Sequence, residues 1–319
     1  MRKALQAWML AAALVPAALI GQDLNVTRPA VDLERLLAEA PMRIVSAEIS
    51  RPKAKGDITL KADVAFGDEP PMRVKLRKSM PGADEFNNVP RYDLAAQELQ
   101  KLLVDPVDYF VPPTALRFVP IDEFRRYTDD VRPTFRGSDE VLAVVQYWLQ
   151  EVKVVEDVLD PARFTADPVY ARHIGQLNVF TYLIDHRDSN VGNFLISRAE
   201  QGPRVFSIDH GVAFASPDSD RGELWAKLRV DRLPAGTIAR LRALDRGQLD
   251  SRLGVLAQWR LVDGRFLAEA PGANLGRSRG VRVERGVLQM GLSAREIGRL
   301  WQRREQLLRS VDEGKVHTW

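Results

Sequence analysis

The chain has 319 residues, 45% of them apolar and 28% charged, with a formal net charge of +3. This is a globular composition with room for one large or two modest domains. The small net charge and the lack of any Lys/Arg block give no case for a nucleic-acid partner. The absence of cysteine excludes disulfides, thiolate metal sites, a cysteine nucleophile and a lipidated Cys.

Met1-Arg2-Lys3 is a basic start, and residues 4–20 are mostly Ala and Leu with Gln6 the one polar side chain. Gly21-Gln22-Asp23 returns to polar sequence. Residues 1–22 therefore read as a Sec-type signal peptide, short and weakly apolar for a spanning helix, with cleavage after Ala17 or near Gly21. An uncleaved membrane anchor is the alternative. Both place the body outside the cytoplasm, as a secreted or periplasmic protein or one held at a membrane by its N-terminus. Asn25-Val26-Thr27 is a glycosylation sequon, with meaning in a eukaryotic host. The cysteine-free, Ala/Arg-rich composition favours a bacterial envelope.

Leu33, Leu36 and Leu37 among charges predict a short amphipathic helix after Pro29. Residues 43–50, 58–66 and 72–77 read as an antiparallel meander, with turns at 52–57 and 67–71. The first turn carries Gly56 between Lys53 and Lys55, and no G-x-G-x-x-G. Its amide and ammonium groups could contact phosphates. An ordinary solvated hairpin tip accounts for the same residues. On the third strand Val74 and Leu76 face one way and Arg73, Lys75 and Arg77 the other. Met72-Arg-Val-Lys75 resembles the V-A-I-K of a kinase third strand, which would make Lys75 the phosphate ligand, with Arg77 and Lys78 as rivals in register. Residues 91–103 form a helix with an apolar stripe. A kinase needs an acid here to orient the strand lysine, and Asp93 and Glu98 are the candidates.

Residues 109–114 and 115–119 read as strands, and 121–138 as a surface insertion. Residues 141–149 read as a buried strand ending at a hinge over Gln146, Tyr147 and Trp148, which in a kinase-like arrangement would contact the nucleotide. Asp167-Pro168 caps a helix over 169–184, whose His173 reads as structural. Further helices are expected over 233–256 and 293–311, the last with a Ser293/Glu296 capping box and a stop at Gly314. The domain organisation that follows is a β-rich lobe over residues 23–149 and a mainly helical lobe over 150–319, an α+β bilobal fold with the cleft between.

The chemistry concentrates after the helix over 169–184. His186-Arg187-Asp188 is followed by Asn193 five residues after the Asp, which matches H-R-D-x-x-x-x-N. Two short strands later, Ile208-Asp209-His210-Gly211 stands where D-F-G would stand. Phosphoryl transfer needs positioning and charge neutralisation rather than covalent help. In that pattern Asp188 orients the attacking hydroxyl, while Asn193 and Asp209 supply hard oxygens for Mg²⁺ or Mn²⁺. The same residues also make good turns.

With these residues in hand, the chain from about 43 to 311 resembles the atypical kinases: the phosphatidylinositol 3-/4-kinase-like group, with secreted Fam20-type and HipA-like kinases nearby. The resemblance rests on the Lys75 strand, Phe86-Asn-Asn-Val-Pro-Arg-Tyr-Asp-Leu-Ala-Ala, Val111-Pro-Pro-Thr114, Asp188-x4-Asn193-Phe-Leu-Ile and Ile208-Asp-His-Gly. In that group an acid precedes the Ala-Ala pair; here it is Asp93, one methylene shorter than Glu. The resemblance implies a bilobal protein-kinase-like fold and transfer of the ATP γ-phosphate to a hydroxyl acceptor on a protein, lipid or glycan. A pseudokinase, binding nucleotide or a partner without turnover, is the alternative.

Overall fold

Alternating apolar residues in the first half close a five-stranded antiparallel sheet, and one helix ties it to the second half. The structure, a computed structural model, describes residues 24–50, 58–84, 88–129, 131–199, 202–214 and 221–319. Residues 1–22 and the Gly56 turn with Lys53 and Lys55 lie outside the described residues.

Helix α1 (Ala30–Glu39) follows Pro29 and buries Leu33 and Leu37. Strands β1 (Met42–Ile49), β2 (Thr59–Phe66) and β3 (Met72–Lys78) form the expected meander. Helix α2 (Pro90–Leu103) starts on a proline, whose missing N–H costs nothing at that position. Strand β4 (Thr114–Pro120), the short helix α3 (Ile121–Arg125) and strand β5 (Glu140–Tyr147) complete this half. The sheet order is β1-β2-β3-β5-β4, so β5 lies between β3 and β4. Helix α1 covers the outer face, where Leu33 and Leu37 join Val64, Val74, Leu76 and Val145 in one core. Arg117 on β4 donates to the carbonyls of Leu37 (3.2 Å) and Ala40 (2.6 Å), satisfying the end of α1.

Two readings of this region need correction. Residues 109–113 are not a strand. They form a loop pinned by Gln100 of α2, whose Oε1 accepts from the amides of Phe110 (2.9 Å) and Val111 (2.8 Å). Residues 121–138 are more than a surface insertion, because Phe124 and Val131 are buried in the outer core.

Past the hinge, β6 (Val152–Val154) leads to α4 (Pro161–Ala166) and α5 (Pro168–Leu183). Asp167 caps α5 by accepting from the amides of Val169 (3.1 Å) and Tyr170 (3.0 Å). Twelve residues of α5 are buried, too many for a single stripe, so it is the central helix of this half. It delivers the chain to β7 (Phe194–Ser197) and β8 (Val205–Ser207), and β7 pairs with both β6 and β8 in a small sheet. Then follow β9 (Arg232–Leu233), α6 (Ala235–Ala243) and α7 (Arg246–Leu253). The single helix expected over 233–256 is thus two. Leu244 is extended, and Asp245 opens α7 with its own capping box to Gln248.

The sequence reading places no strand between 254 and 293, yet four lie there: β10 (Ala257–Val262), β11 (Arg265–Glu269), β12 (Val281–Glu284) and β13 (Val287–Met290). Both hairpins turn on two residues with positive φ, Asp263-Gly264 and Arg285-Gly286. That is the backbone of a type I′ turn, which matches the twist of its strands. The sheet returns to the first half and packs Trp259, Phe266, Leu288 and Met290 against Leu116, Leu142 and Val144. The Phe118 and Phe266 rings stack at 4.2 Å. Helix α8 (Ala294–Asp312) has the expected Ser293/Glu296 box, and β14 (His317–Thr318) pairs with β9.

Trp259 is 4% exposed and holds the two sheets together. Trp259→Ala should cost about 3 kcal/mol, the usual result of emptying a buried indole site. Urea unfolding of the purified chain checks this, and a loss under about 1 kcal/mol would mean the sheet packs without it.

Candidate functional site

The loop after α5 is fixed from beneath. Asp185 takes φ +50°, and the His186 amide donates to the Thr181 carbonyl at 3.0 Å. The His186 ring is fully buried, and its Nδ1 accepts from the Asp188 amide at 3.3 Å. Arg303 of α8 and Arg187 hold Asp185 at 3.5 and 3.2 Å. With the loop anchored, Asp188 is 3% exposed overall yet lines a cavity of about 1150 Å³ between the two halves. Asn190 donates to its Oδ1 at 2.9 Å, and Arg221 to its Oδ2 at 3.3 Å.

Asn193 ends a single 3-10 turn and donates its Nδ2 to the Asp188 carbonyl at 3.0 Å, leaving the amide oxygen as the available donor atom. The Ile208 amide donates to the Asn193 carbonyl at 2.9 Å, which sets Asp209 beside Asn193. Asp209 adopts φ +63° and also lines the cavity. Its Oδ1 accepts from Arg77 Nη1 at 2.8 Å and lies 3.4 Å from Lys75 Nζ.

The roof is the sheet. Lys61, Lys75, Gln146 and Thr114 are cross-strand partners on β2, β3, β5 and β4. Lys61, Lys75 and Gln146 line the cavity, and Gln146 donates to the Thr114 hydroxyl at 2.9 Å. Trp148 stands at the hinge with Lys61 Nζ 5.8 Å over its ring. The floor includes Leu195 and Ile208.

The structure therefore brings Lys75, Gln146, Trp148, Asp188, Asn193 and Asp209 to one cavity. Tyr147 also lines the cavity, while its ring joins the outer core and its hydroxyl lies 3.1 Å from the Thr27 hydroxyl. Two expectations are corrected. Asp93 does not meet Lys75: it is 1% exposed, ion-paired with Arg77, and accepts the His210 amide at 3.1 Å. Glu98 points elsewhere, to Lys101 at 2.6 Å, because it lies on the other side of α2. Sequence reasoning missed Lys61 and Arg221. Cross-strand pairing with Lys75 could have found the first; nothing in the sequence beside Arg221 marks the second.

Burial is the main reason that the Asp188 carboxyl titrates above its ordinary range; the Asp209 charge adds to it and Arg221 opposes it. Burial also pushes His186 and His173 down to about 4 and holds His210 well below the ordinary imidazole value. These histidines stay neutral in the fold but charge in the unfolded chain, so stability is lost as pH falls from 6.5 toward 4. Asp188 works in the opposite sense over the acid range. His186 alone accounts for at most about 3 kcal/mol of that loss. His186→Asn should flatten the decline in unfolding free energy between pH 6.5 and 4. Parallel pH profiles for variant and wild type would remove His186 from that role.

No family model and no curated protein matches the chain. Among solved structures it is similar to the pseudokinase PEAK1 (Sugen Kinase 269), at 15% identity and a TM-score of 0.24. That match covers 58% of this chain and half the length of the other. So loose a superposition carries no argument, and the fold rests on the chain's own topology. That topology is bilobal and kinase-like: an antiparallel sheet with α2 between β3 and β4, a hinge, and a mainly helical second half. Among the described residues no helix is long and apolar enough to cross a membrane.

Proposed function

We propose that the cleft binds Mg-ATP, or Mn-ATP, and transfers the γ-phosphoryl group to a hydroxyl acceptor. The observation that carries this is the convergence of Asp188, Asn193, Asp209 and Lys75 on one cavity between the lobes. Asp209 and the Asn193 amide oxygen are the hard-oxygen donors that Mg²⁺ prefers. No group of three or more His, Asp or Glu among the described residues could hold a metal, so waters and phosphates would complete the shell. The metal, when bound, neutralises phosphate oxygens.

Asp188 takes the proton of the attacking hydroxyl as the new O–P bond forms and the bond to ADP breaks. A carboxyl titrating above its ordinary range is a better proton acceptor than a solvated one. Lys75, 14% exposed and reaching the cavity, offers its ammonium to the phosphates. The acceptor is a protein, lipid or glycan hydroxyl, met outside the cytoplasm on the signal-peptide reading of residues 1–22. The atypical-kinase resemblance supports the reaction class and leaves the acceptor open.

One observation favours a pseudokinase instead. Asp209 Oδ1 is held by two cations, so a metal must compete for that carboxylate. Labelled ATP, metal and envelope extract separate the two readings. Asp188→Ala should keep nucleotide affinity within about threefold while transfer falls about 10²-fold or more, the size expected for losing a positioned base. Asp209→Asn should abolish metal-dependent nucleotide binding. Metal-dependent binding with no label transferred by wild type would establish the pseudokinase.

A further inference from the structure

Arg77 is a large polar side chain, 1% exposed, on the same strand face as Lys75. Nη2 of its guanidinium pairs with Asp93 of α2, and Nη1 donates to Asp209 at 2.8 Å. Asp93 uses its second oxygen to accept the amide of His210, the residue after Asp209. The His210 ring is in turn fixed by the Ser207 hydroxyl at 3.0 Å. A closed circuit thus joins β3, α2 and the Asp209 turn, through one planar fork.

We infer that Arg77 is the positioning residue that fixes Asp209, and with it the metal position, by bridging it to Asp93 of α2. Lys75 is thereby left to act on the ligand. This inference rests on the metal-nucleotide reading above and divides one expected job between two residues two positions apart. The chemistry of the side chains supports the division. A guanidinium offers several donors in a rigid plane and can hold two carboxylates at once. An ammonium on a flexible stem cannot hold both in fixed geometry, but it suits a mobile phosphate. The burial matches: Arg77 is enclosed, while Lys75 opens on the cavity. Asp93, one methylene shorter than Glu, is matched to the reach of Arg77, so its length is a fit and not a defect.

The test is the Mn²⁺ concentration at half-saturation, read by thermal shift of the full chain with saturating ADP. Arg77→Lys keeps the charge beside Asp209 and removes the fork. It should raise that concentration about tenfold, the usual effect of losing an outer-shell partner of a metal ligand. Adding Asp93→Asn to Arg77→Lys should change it by less than about twofold more, because the bridge is already broken. Lys75→Met should instead weaken ADP affinity and leave the Mn²⁺ midpoint at or below that of wild type. If Arg77→Lys does not fold, Asp93→Asn alone breaks the same bridge and should give the same tenfold rise. A lower melting temperature with an unmoved midpoint means that Arg77 is merely structural, and overturns this inference while the nucleotide reading stands. A wild-type chain with no Mn²⁺-dependent ADP response overturns both.

Discussion

The buried guanidinium of Arg77 is the constraint on which the site depends. Desolvating such a charge costs several kcal/mol, and only well-placed carboxylates offset it. Asp93 and Asp209 provide them from two different elements, α2 and the turn after β8. Removing Asp93 or Asp209 would leave the guanidinium with one carboxylate partner instead of two. The fold is thereby obliged to hold sheet, helix and loop in one arrangement. Orientation of the cavity groups follows from that obligation.

The second half supports the same arrangement from outside. Arg91, next to the start of α2, pairs with Glu296 at the start of α8 at 2.8 Å and packs over Tyr92. The β10–β13 sheet packs through Leu116, Leu142 and Val144 on the same face of β4 and β5 as Gln146. A Cβ on Gly291 would lie 2.2 Å from the Gly254 carbonyl oxygen, so glycine is required where this sheet rejoins α8. The sheet that carries Lys61, Lys75 and Gln146 is therefore backed on one face by α1 and gripped by a sheet from the C-terminal half. Such a roof is built to stay in place while the cavity groups act.

Much of this was legible in the sequence, for physical reasons. Strand alternation and capping chemistry act locally, so the meander, α2, α5 and the Ser293 cap of α8 fall where the residues place them. The spacing from Asp188 to Asn193 and on to Asp209 was legible because a short hairpin fixes it. What was missed is long-range. The choice between Lys75 and Arg77 for Asp93 depends on strand register and depth, which alternation alone does not set. The second sheet hid in charged strands such as Val281–Glu284, whose turn signals, Asp263-Gly264 and Arg285-Gly286, were the available clue. Arg221 meets Asp188 only through tertiary packing.

The central claim is that Asp209 and Asn193 hold a metal beneath Lys75, with the nucleotide phosphates between. Anomalous scattering from Mn²⁺, in crystals grown with a non-hydrolysable ATP analogue, tests it most directly. The account predicts a Mn²⁺ peak touching Asp209 and the Asn193 amide oxygen, with phosphate oxygens on its far side and near Lys75 Nζ. A nucleotide bound in the cavity with no metal at Asp209, or a metal bound elsewhere, would contradict it.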